Sequence, residues 1–174
     1  AIADKEDFSF AEVHDLGKTV VDDSFLEKHV KAVLDHPLVD AETIKKRGFK
    51  VAVDAVNSTG GIFVPALLRA LGVMEIVELY CEPTGDFPHN PEPLPEHLKD
   101  LSEAVVTANC DLGITVDHDV DRLAFVCEDG SMFGEEYTLV AVADYVLSSK
   151  EGAAVSNLSS TRALRDVTQK HNGT

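Results

Sequence analysis

The spacing of apolar residues predicts helices and strands along the first half of the chain. Residues 24 to 36, SFLEKHVKAVLDH, place apolar side chains three and four positions apart, with Ser24 as a candidate N-cap and Pro37 just beyond the end. This pattern predicts a helix. The run FKVAVDAV then predicts a first strand and NSTGG a turn. IFVPALLRALG predicts a helix with Pro65 in its first turn and Gly72 at its end.

Strand and helix patterns continue to alternate through the middle of the chain. MEIVELYC predicts a second strand, and the proline-rich segment after it predicts a loop. A helix is predicted from Glu96 to Asn109, because its leucines, alanine and valine fall on one face. CDLGITV and RLAFVCE predict a third and a fourth strand on either side of an acidic turn, and Asp129-Gly130 marks a tight turn after the fourth.

This alternation predicts an α/β fold. Strands separated by helices form a mostly parallel sheet with helices on both faces, which is a three-layer α/β/α arrangement. The fourth predicted strand follows the third after too few residues for a crossover helix. We therefore expect it to run antiparallel at an edge of the sheet.

The same patterns predict three segments. Residues 1 to 48 form a lead-in segment and helix from a preceding domain, and residues 49 to 134 form the α/β unit. Residues 135 to 174 begin a further, incomplete α/β domain: a helix over 135 to 149, a short strand AAVSNL, and a helix over 161 to 171. The chain opens at AIADKEDFSF without Met, so we expect it to be part of a longer protein.

The composition narrows the classes of function. Of the 174 residues, 44% are hydrophobic, which is enough for one full core. There are 31 acidic residues against 15 Lys and Arg, a net charge of −16. Nucleic-acid binding is not expected, because phosphate recognition requires clustered basic residues.

The number and spacing of the cysteines and the length of the apolar stretches indicate the cellular location to expect. Its three cysteines are far apart and form no CxxC pair, so neither a disulfide framework nor a zinc site is expected. The longest apolar stretches are too short to span a membrane, and no targeting segment is evident. We expect a cytoplasmic protein with no membrane partner.

The acidic turn carries the clearest chemistry. Three alternating aspartates are followed by an arginine: Asp117, Asp119, Asp121 and Arg122. Two carboxylates about 4 Å apart repel by about 4 kcal/mol at an effective dielectric of roughly 20, so a cation is expected among them. The turn follows a predicted parallel strand, and ligands bind beyond the carboxyl ends of such strands. Carboxylate oxygens suit Mg²⁺ or Ca²⁺, and the arginine suits a phosphate oxygen.

Three other interpretations of this turn are open. In an EF-hand, the three aspartates and Glu128 would occupy positions 1, 3, 5 and 12, but Arg122 stands where the loop needs Gly and the flanks are predicted strands. In an aspartyl-nucleophile phosphatase of the haloacid dehalogenase kind, a DxDx[TV] loop follows the first strand rather than the third. An exposed hairpin without a ligand leaves the repulsion uncompensated.

Three motifs in order, over roughly residues 49 to 134, resemble the α-D-phosphohexomutases. DLGITVDHDVDRLAFVCEDG is similar to that family's metal loop, which commonly reads DGDxDR between two strands. VAVDAVNSTGG is similar to the glycine-rich turn after the first strand of the family's second domain. PTGDFPHNPEPLPEHL is similar to a family loop of the form DGxFP-H-PNP.

The resemblance implies an enzyme of four domains that interconverts hexose 1-phosphate and hexose 6-phosphate through a phosphoserine and a bisphosphorylated sugar. It implies that Asp117, Asp119 and Asp121 bind Mg²⁺ and that Arg122 lies near the transferred phosphoryl group. The partners it implies are a phosphosugar and the other domains of the parent chain. The sugar itself is left open.

The chain departs from the family pattern at two points. His118 stands where the family commonly has Gly, and we expect it to face solvent or support the ligands rather than bind the metal. No TASHNP-like stretch supplies a phosphoserine.

A non-catalytic metal-binding or interaction module with a Rossmann-like core is the alternative function. Gly60 and Gly61 are interpreted as a structural turn, and His89 as a surface residue.

Overall fold

The computed structural model describes residues 3–174, in which a four-stranded sheet lies between helices. In chain order the elements are α1 Phe25–Leu34, α2 Ala41–Arg47, β1 Lys50–Asp54, α3 Gly60–Ala70, β2 Glu75–Leu79, α4 Lys99–Thr107, β3 Leu112–Val116, β4 Leu123–Cys127, α5 Glu135–Ser149 and α6 Ala163–Lys170. Short 3-10 helices cover Ala3–Lys5, Val13–Asp15 and Pro95–His97. No helix in this range combines the length and the apolar character that crossing a membrane requires.

The sheet has the predicted mixed topology. Its strand order is β2-β1-β3-β4, with β1 parallel to both β2 and β3 and with β4 antiparallel to β3 at the edge. Val53 of β1 lies opposite Ile114 of β3, and Val116 at the end of β3 lies opposite Leu123. The predicted α/β fold class with an antiparallel edge strand is confirmed.

Helices cover both faces of the sheet because the strands are apolar on both sides. On one face, Ala52 of β1 packs with Leu101 and Val105 of α4. On the other face, Val51 and Val53 pack with Leu68 of α3. Successive side chains of a strand point to opposite faces, so β1 contributes to both clusters and forms the centre of the core. Three layers, α/β/α, result.

Helix α4 packs closely on the sheet through a glycine. Leu101 and Val105, four positions apart, are both fully buried. They lie over Gly113 of β3, where an added Cβ would come within 2.8 Å of the Val105 side chain. The absence of a side chain at this position lets the helix approach the strand closely.

Helix α3 begins earlier than the sequence predicted. It starts at Gly60, so Pro65 lies inside the helix and not in its first turn. Proline has no N–H, so the backbone bond to the carbonyl of Gly61 is missing. At Gly61, the second residue of the helix, an added Cβ would overlap the backbone of Cys81, which explains why a residue without a side chain stands there. The structural interpretation of the two glycines agrees with this packing.

Two further elements differ from the prediction. Helix α2 was not predicted, although Asp40 caps it by accepting from the Thr43 N–H at 2.9 Å and Gly48 ends it with a φ of +65°. The predicted strand AAVSNL is wrong: residues 153–158 are irregular. A strand needs a partner, and these residues pair with none of the strands in residues 3–174. Ala154 donates instead to the backbone carbonyl of Thr174.

The last helices pack on the α/β unit and on each other. Helix α5 contacts β4 and α6, and the hydroxyl of Tyr145 donates to the Leu38 carbonyl at 2.8 Å. His171 Nε2 lies 2.6 Å from Asp144 Oδ1 and joins α6 to α5. The domain boundaries near residues 48 and 134 stay predictions.

A buried polar pair lies at the end of β1. Asp54 is fully buried, and its Oδ1 accepts from the Val56 N–H at 3.0 Å. Its Oδ2 lies 2.9 Å from Nε2 of His89, whose side chain is only 16% exposed. The interpretation of His89 as a surface residue is therefore wrong. Burial raises the pKa of Asp54, although the hydrogen bonds from Val56 and His89 oppose that rise.

We expect Leu101→Ala to lower the free energy of unfolding by about 2–5 kcal/mol, because it leaves a cavity between α4 and the sheet. Urea unfolding followed by circular dichroism measures this change. Val106→Ala on the same helix is the matched control, since Val106 is half-exposed and its truncation should cost less than about 1 kcal/mol. Equal losses in the two variants would contradict the position assigned to the core.

We expect the stability of Asp54→Asn relative to the wild type to improve as the pH rises. The folded wild type holds the Asp54 proton more tightly than the unfolded chain, because burial raises the pKa of this carboxyl above 3.8. The wild type therefore loses stability as the pH rises from 3.8 through the raised pKa, and the Asn variant does not. Urea unfolding of both proteins at stepped pH measures the difference. A difference that is independent of pH would contradict this expectation.

Candidate metal centre

The acidic turn lies at the carboxyl edge of the parallel strands. Asp117 follows directly after the last residue of β3, and β1 ends beside it at Asp54, which lies opposite Thr115. The loops after β1 and β3 therefore meet at the same edge of the sheet. This is the edge at which open α/β sheets bind ligands.

Asp117 fixes the shape of the turn. It is almost fully buried, and its Oδ1 accepts from the backbone N–H groups of Asp121 and Arg122, both at 3.0 Å. Val120 adopts a φ of +62°, which is unusual for a β-branched residue. Two hydrogen bonds to a charged oxygen hold the loop closed against that strain. The second oxygen of Asp117 takes no part in these bonds.

The segment between β1 and α3, together with the first residue of α3, contacts the acidic turn. The hydroxyl of Ser58 donates a close hydrogen bond to the backbone carbonyl of His118. Gly60, the first residue of α3, packs against the turn: an added Cβ would lie 2.5 Å from the Val116 side chain and 3.5 Å from that of Val120. The N-terminus of α3, the positive end of its dipole, therefore lies close to the aspartates.

The structure brings some of the predicted ligands together. One ligand atom from each of Asp117, His118 and Asp119 lies within 4.8 Å of the others. Asp121 is not in this compact group, and its side chain is 71% exposed. His118, which was expected to face solvent or support the ligands, is half-exposed and its Nδ1 lies 3.8 Å from Asp119 Oδ1.

The electrostatics of the turn suit a divalent cation. The side chain of Asp117 raises the pKa of Asp121 by hydrogen bonding, and the charges of Asp119 and Asp117 raise it further. Repulsion between the negative charges of these aspartates disfavours ionisation of the Asp121 carboxyl. A cation bound among the carboxylates would relieve this repulsion. The donors are mainly hard oxygens, which fit Mg²⁺ or Ca²⁺. The acidic group can therefore hold a metal ion.

Arg122 lies between two sets of carboxylates. Its Nη1 forms a close ion pair with Glu92 of the proline-rich loop. Its Nε lies 3.9 Å from Asp117 Oδ2 and 3.9 Å from Asp121 Oδ1. The side chain is 52% exposed, so part of it is accessible to solvent.

Several residues that shape this centre were not predicted from the sequence. Glu92 is 30 positions from Arg122, and Ser58 is 60 positions from His118, so no local pattern links these pairs. Asp54 was the one with a signal, because it is a charged residue at the end of an otherwise apolar strand. Such a residue is buried only when it is paired.

The flanking elements exclude the EF-hand interpretation. The turn lies between the strands β3 and β4, where an EF-hand has two helices. The haloacid dehalogenase interpretation requires the loop after the first strand, and here the loop follows the third strand of the chain.

Comparison with known proteins identifies the family. Residues 27–130 match the family model described as phosphoglucomutase/phosphomannomutase, alpha/beta/alpha domain II. The chain is 36% identical, over 97% of its length, to a protein of Thermococcus kodakarensis named phosphoglucomutase/phosphomannomutase. It is 33% identical, over 96% of its length, to a probable phosphoglucosamine mutase of Methanopyrus kandleri. The chain spans 36% of the length of each of these two relatives.

Solved structures agree with this match. A phosphoglucomutase/phosphomannomutase family protein of Burkholderia thailandensis superposes with a TM-score of 0.73 and 31% identity, covering 85% of this chain and 31% of that one. A second structure, of a putative phosphomannomutase from Thermus thermophilus, shares the fold with a TM-score of 0.69 at 23% identity, covering 82% of this chain and 32% of that one. The chain belongs to the phosphoglucomutase/phosphomannomutase family, the α-D-phosphohexomutases.

Proposed function

We propose that the parent protein interconverts hexose 1-phosphate and hexose 6-phosphate, and that this chain supplies its Mg²⁺ site. The observation that carries the proposal is the buried, doubly hydrogen-bonded Asp117 in an acidic turn at the carboxyl edge of the sheet. It occurs in a chain of a family whose members bear mutase names. The proposed setting is the cytoplasm, where the free cysteines stay reduced.

The proposed ligands of Mg²⁺ are Asp117, Asp119 and Asp121. The turn holds Asp117 in place, and the exposed side chains of the other two aspartates can rotate toward an ion beside it. Three carboxylate oxygens would meet the preference of Mg²⁺ for hard donors. His118 lies next to this set, where its imidazole supports the carboxylate of Asp119.

Arg122 is the proposed catalytic residue of this chain. Its planar fork of donors matches a phosphoryl group, and its half-exposed side chain lies next to the aspartates. When bound, Mg²⁺ supplies neutralisation of the charge that builds up as a phosphoryl group moves between oxygens. The chain's own contribution is to hold the three carboxylates and to orient the guanidinium toward the same group.

The remaining parts of the reaction are assigned to other domains of the parent chain. We propose that a phosphoserine in one of them exchanges the phosphoryl group with the sugar, through a bisphosphorylated intermediate. The phosphosugar is the proposed substrate. The 174-residue chain alone should be inactive, and mutase turnover by the purified chain would contradict this assignment.

We expect Asp119→Asn to lower the Mg²⁺-dependent mutase activity of the parent protein by about 100-fold or more. The variant removes one of three charges that hold the cation, and such charge stabilisation contributes several kcal/mol to the reaction. The measurement is a coupled assay for conversion of glucose 1-phosphate to glucose 6-phosphate, with and without Mg²⁺.

Glu128→Gln is the matched control for this assay. Glu128 is an exposed carboxylate that follows β4 at the end away from the acidic turn, so its loss should leave turnover unchanged. Equal turnover by Asp119→Asn and wild type would overturn the metal assignment. If the wild type converts neither glucose, mannose nor glucosamine phosphates, a non-catalytic metal-binding or interaction module becomes the better interpretation.

A further inference from the structure

The proline-rich loop between β2 and α4 packs against the acidic turn. The ring of Phe87 lies 5.8 Å from the ring of His118, measured between centroids. Five positions later, Glu92 forms its ion pair with Arg122. The loop therefore contacts both the ligand side and the arginine side of the candidate metal centre.

Several hydrogen bonds hold this loop against the end of β1 and the segment that follows it, although the loop contains little regular structure. His89 is joined to the buried Asp54, and its Nδ1 lies 2.8 Å from the Asn90 carbonyl oxygen. Asn57 binds the loop twice: its side-chain amide donates to the Asp86 carbonyl at 3.0 Å, and its own carbonyl accepts from the Gly85 N–H at 3.0 Å. The prolines of the loop restrict its backbone conformation further.

The guanidinium of Arg122 has three nitrogens with different surroundings. Nη1 is paired with Glu92, and Nε faces Asp117 and Asp121 at 3.9 Å. In each of the ion pairs that Arg122 forms within residues 3–174, the closest approach is through Nη1 or Nε and not through Nη2. Because the group is planar, fixing two of its nitrogens also fixes the direction of the third.

We propose that Glu92 is a positioning residue that holds the Arg122 guanidinium so that Nη2 is presented to a phosphoryl oxygen. The Asp54–His89 pair anchors the loop that carries Glu92. The identity of the phosphoryl ligand rests on the proposed function, whereas the positioning itself does not.

Glu92 also limits how closely the Arg122 guanidinium approaches the proposed metal ligands, which lie 3.9 Å from its Nε. The other carboxylates near the guanidinium are those of Asp117 and Asp121, on its Nε side. Without Glu92, attraction would turn the guanidinium toward these two residues and away from the open side of the site. The arginine would then neutralise carboxylates that the cation needs.

A double-mutant cycle in the parent protein tests the proposal. We expect Glu92→Ala to lower kcat/KM for glucose 1-phosphate roughly 10- to 100-fold, since a misplaced binding group costs this much in rate. In an Arg122→Ala background, Glu92→Ala should cause less than about a twofold further loss, because Glu92 acts through the arginine. Full additivity of the two losses would overturn the proposal, as would an unchanged kcat/KM in Glu92→Ala.

Glu96→Ala is the matched control. Glu96 is an exposed carboxylate four positions later in the same connection, and its side chain forms no ion pair within the described range. This variant should keep wild-type kcat/KM. Melting temperatures of all variants exclude a general loss of folding, and a large drop in Glu96→Ala would overturn the specific role of Glu92.

A second measurement is independent of the mutase activity. In the 174-residue chain, ¹⁵N NMR should resolve separate Nη resonances for a held Arg122 guanidinium, and Glu92→Ala should merge them through free rotation. Glu96→Ala should leave them separate. Resonances that are unaffected by Glu92→Ala would overturn the positioning role. If the parent protein has no turnover but the resonances merge, the proposed function fails and the positioning role of Glu92 stands.

Discussion

The parallel pairing of β1 with β3 is the constraint on which the rest of the structure depends. It brings the ends of two strands to one edge, so that the segment after Asp54 and the turn after Val116 lie side by side. Apolar side chains on both faces of β1 hold this pairing in the core, between α3 and α4. Ser58 and Gly60 can contact the acidic turn only because these two strands are neighbours.

Repulsion between the carboxylates of the acidic turn is the second constraint at this edge of the sheet. Asp117 uses one oxygen to close its own turn, and its side chain, together with the charge of Asp119, raises the pKa of Asp121. Arg122 offsets part of the repulsion, but Glu92 takes one side of its guanidinium. The centre is therefore rich in negative charge, which suits a divalent cation and a phosphoryl group bound to it. The buried Asp54–His89 pair keeps the loop of Glu92 close to this charge.

The sequence predicted correctly those features that depend only on residues close together in the chain. Alternating strands and helices, too short a connection for a crossover before β4, and aspartates directly after a strand were sufficient to predict the fold class and the place of the acidic turn. The sequence-based predictions were wrong where a structure depends on contact with a residue or strand far away in the chain. AAVSNL has strand composition, but it pairs with no strand in the part of the chain that the structure describes, and His89 looks like a surface residue until Asp54 is placed beside it.

The sequence by itself determined the α/β/α class, the acidic turn after β3 and the resemblance to the phosphohexomutases, because periodicity and short motifs are local properties of the chain. Only the tertiary structure decided that His118 joins Asp117 and Asp119 in one compact group, that Asp121 stands outside it, and that Glu92 meets Arg122. These facts depend on side-chain direction in a closed turn and on contacts between residues far apart in the chain. Neither is encoded in residue spacing, since both arise only after the sheet has brought its loops to one edge.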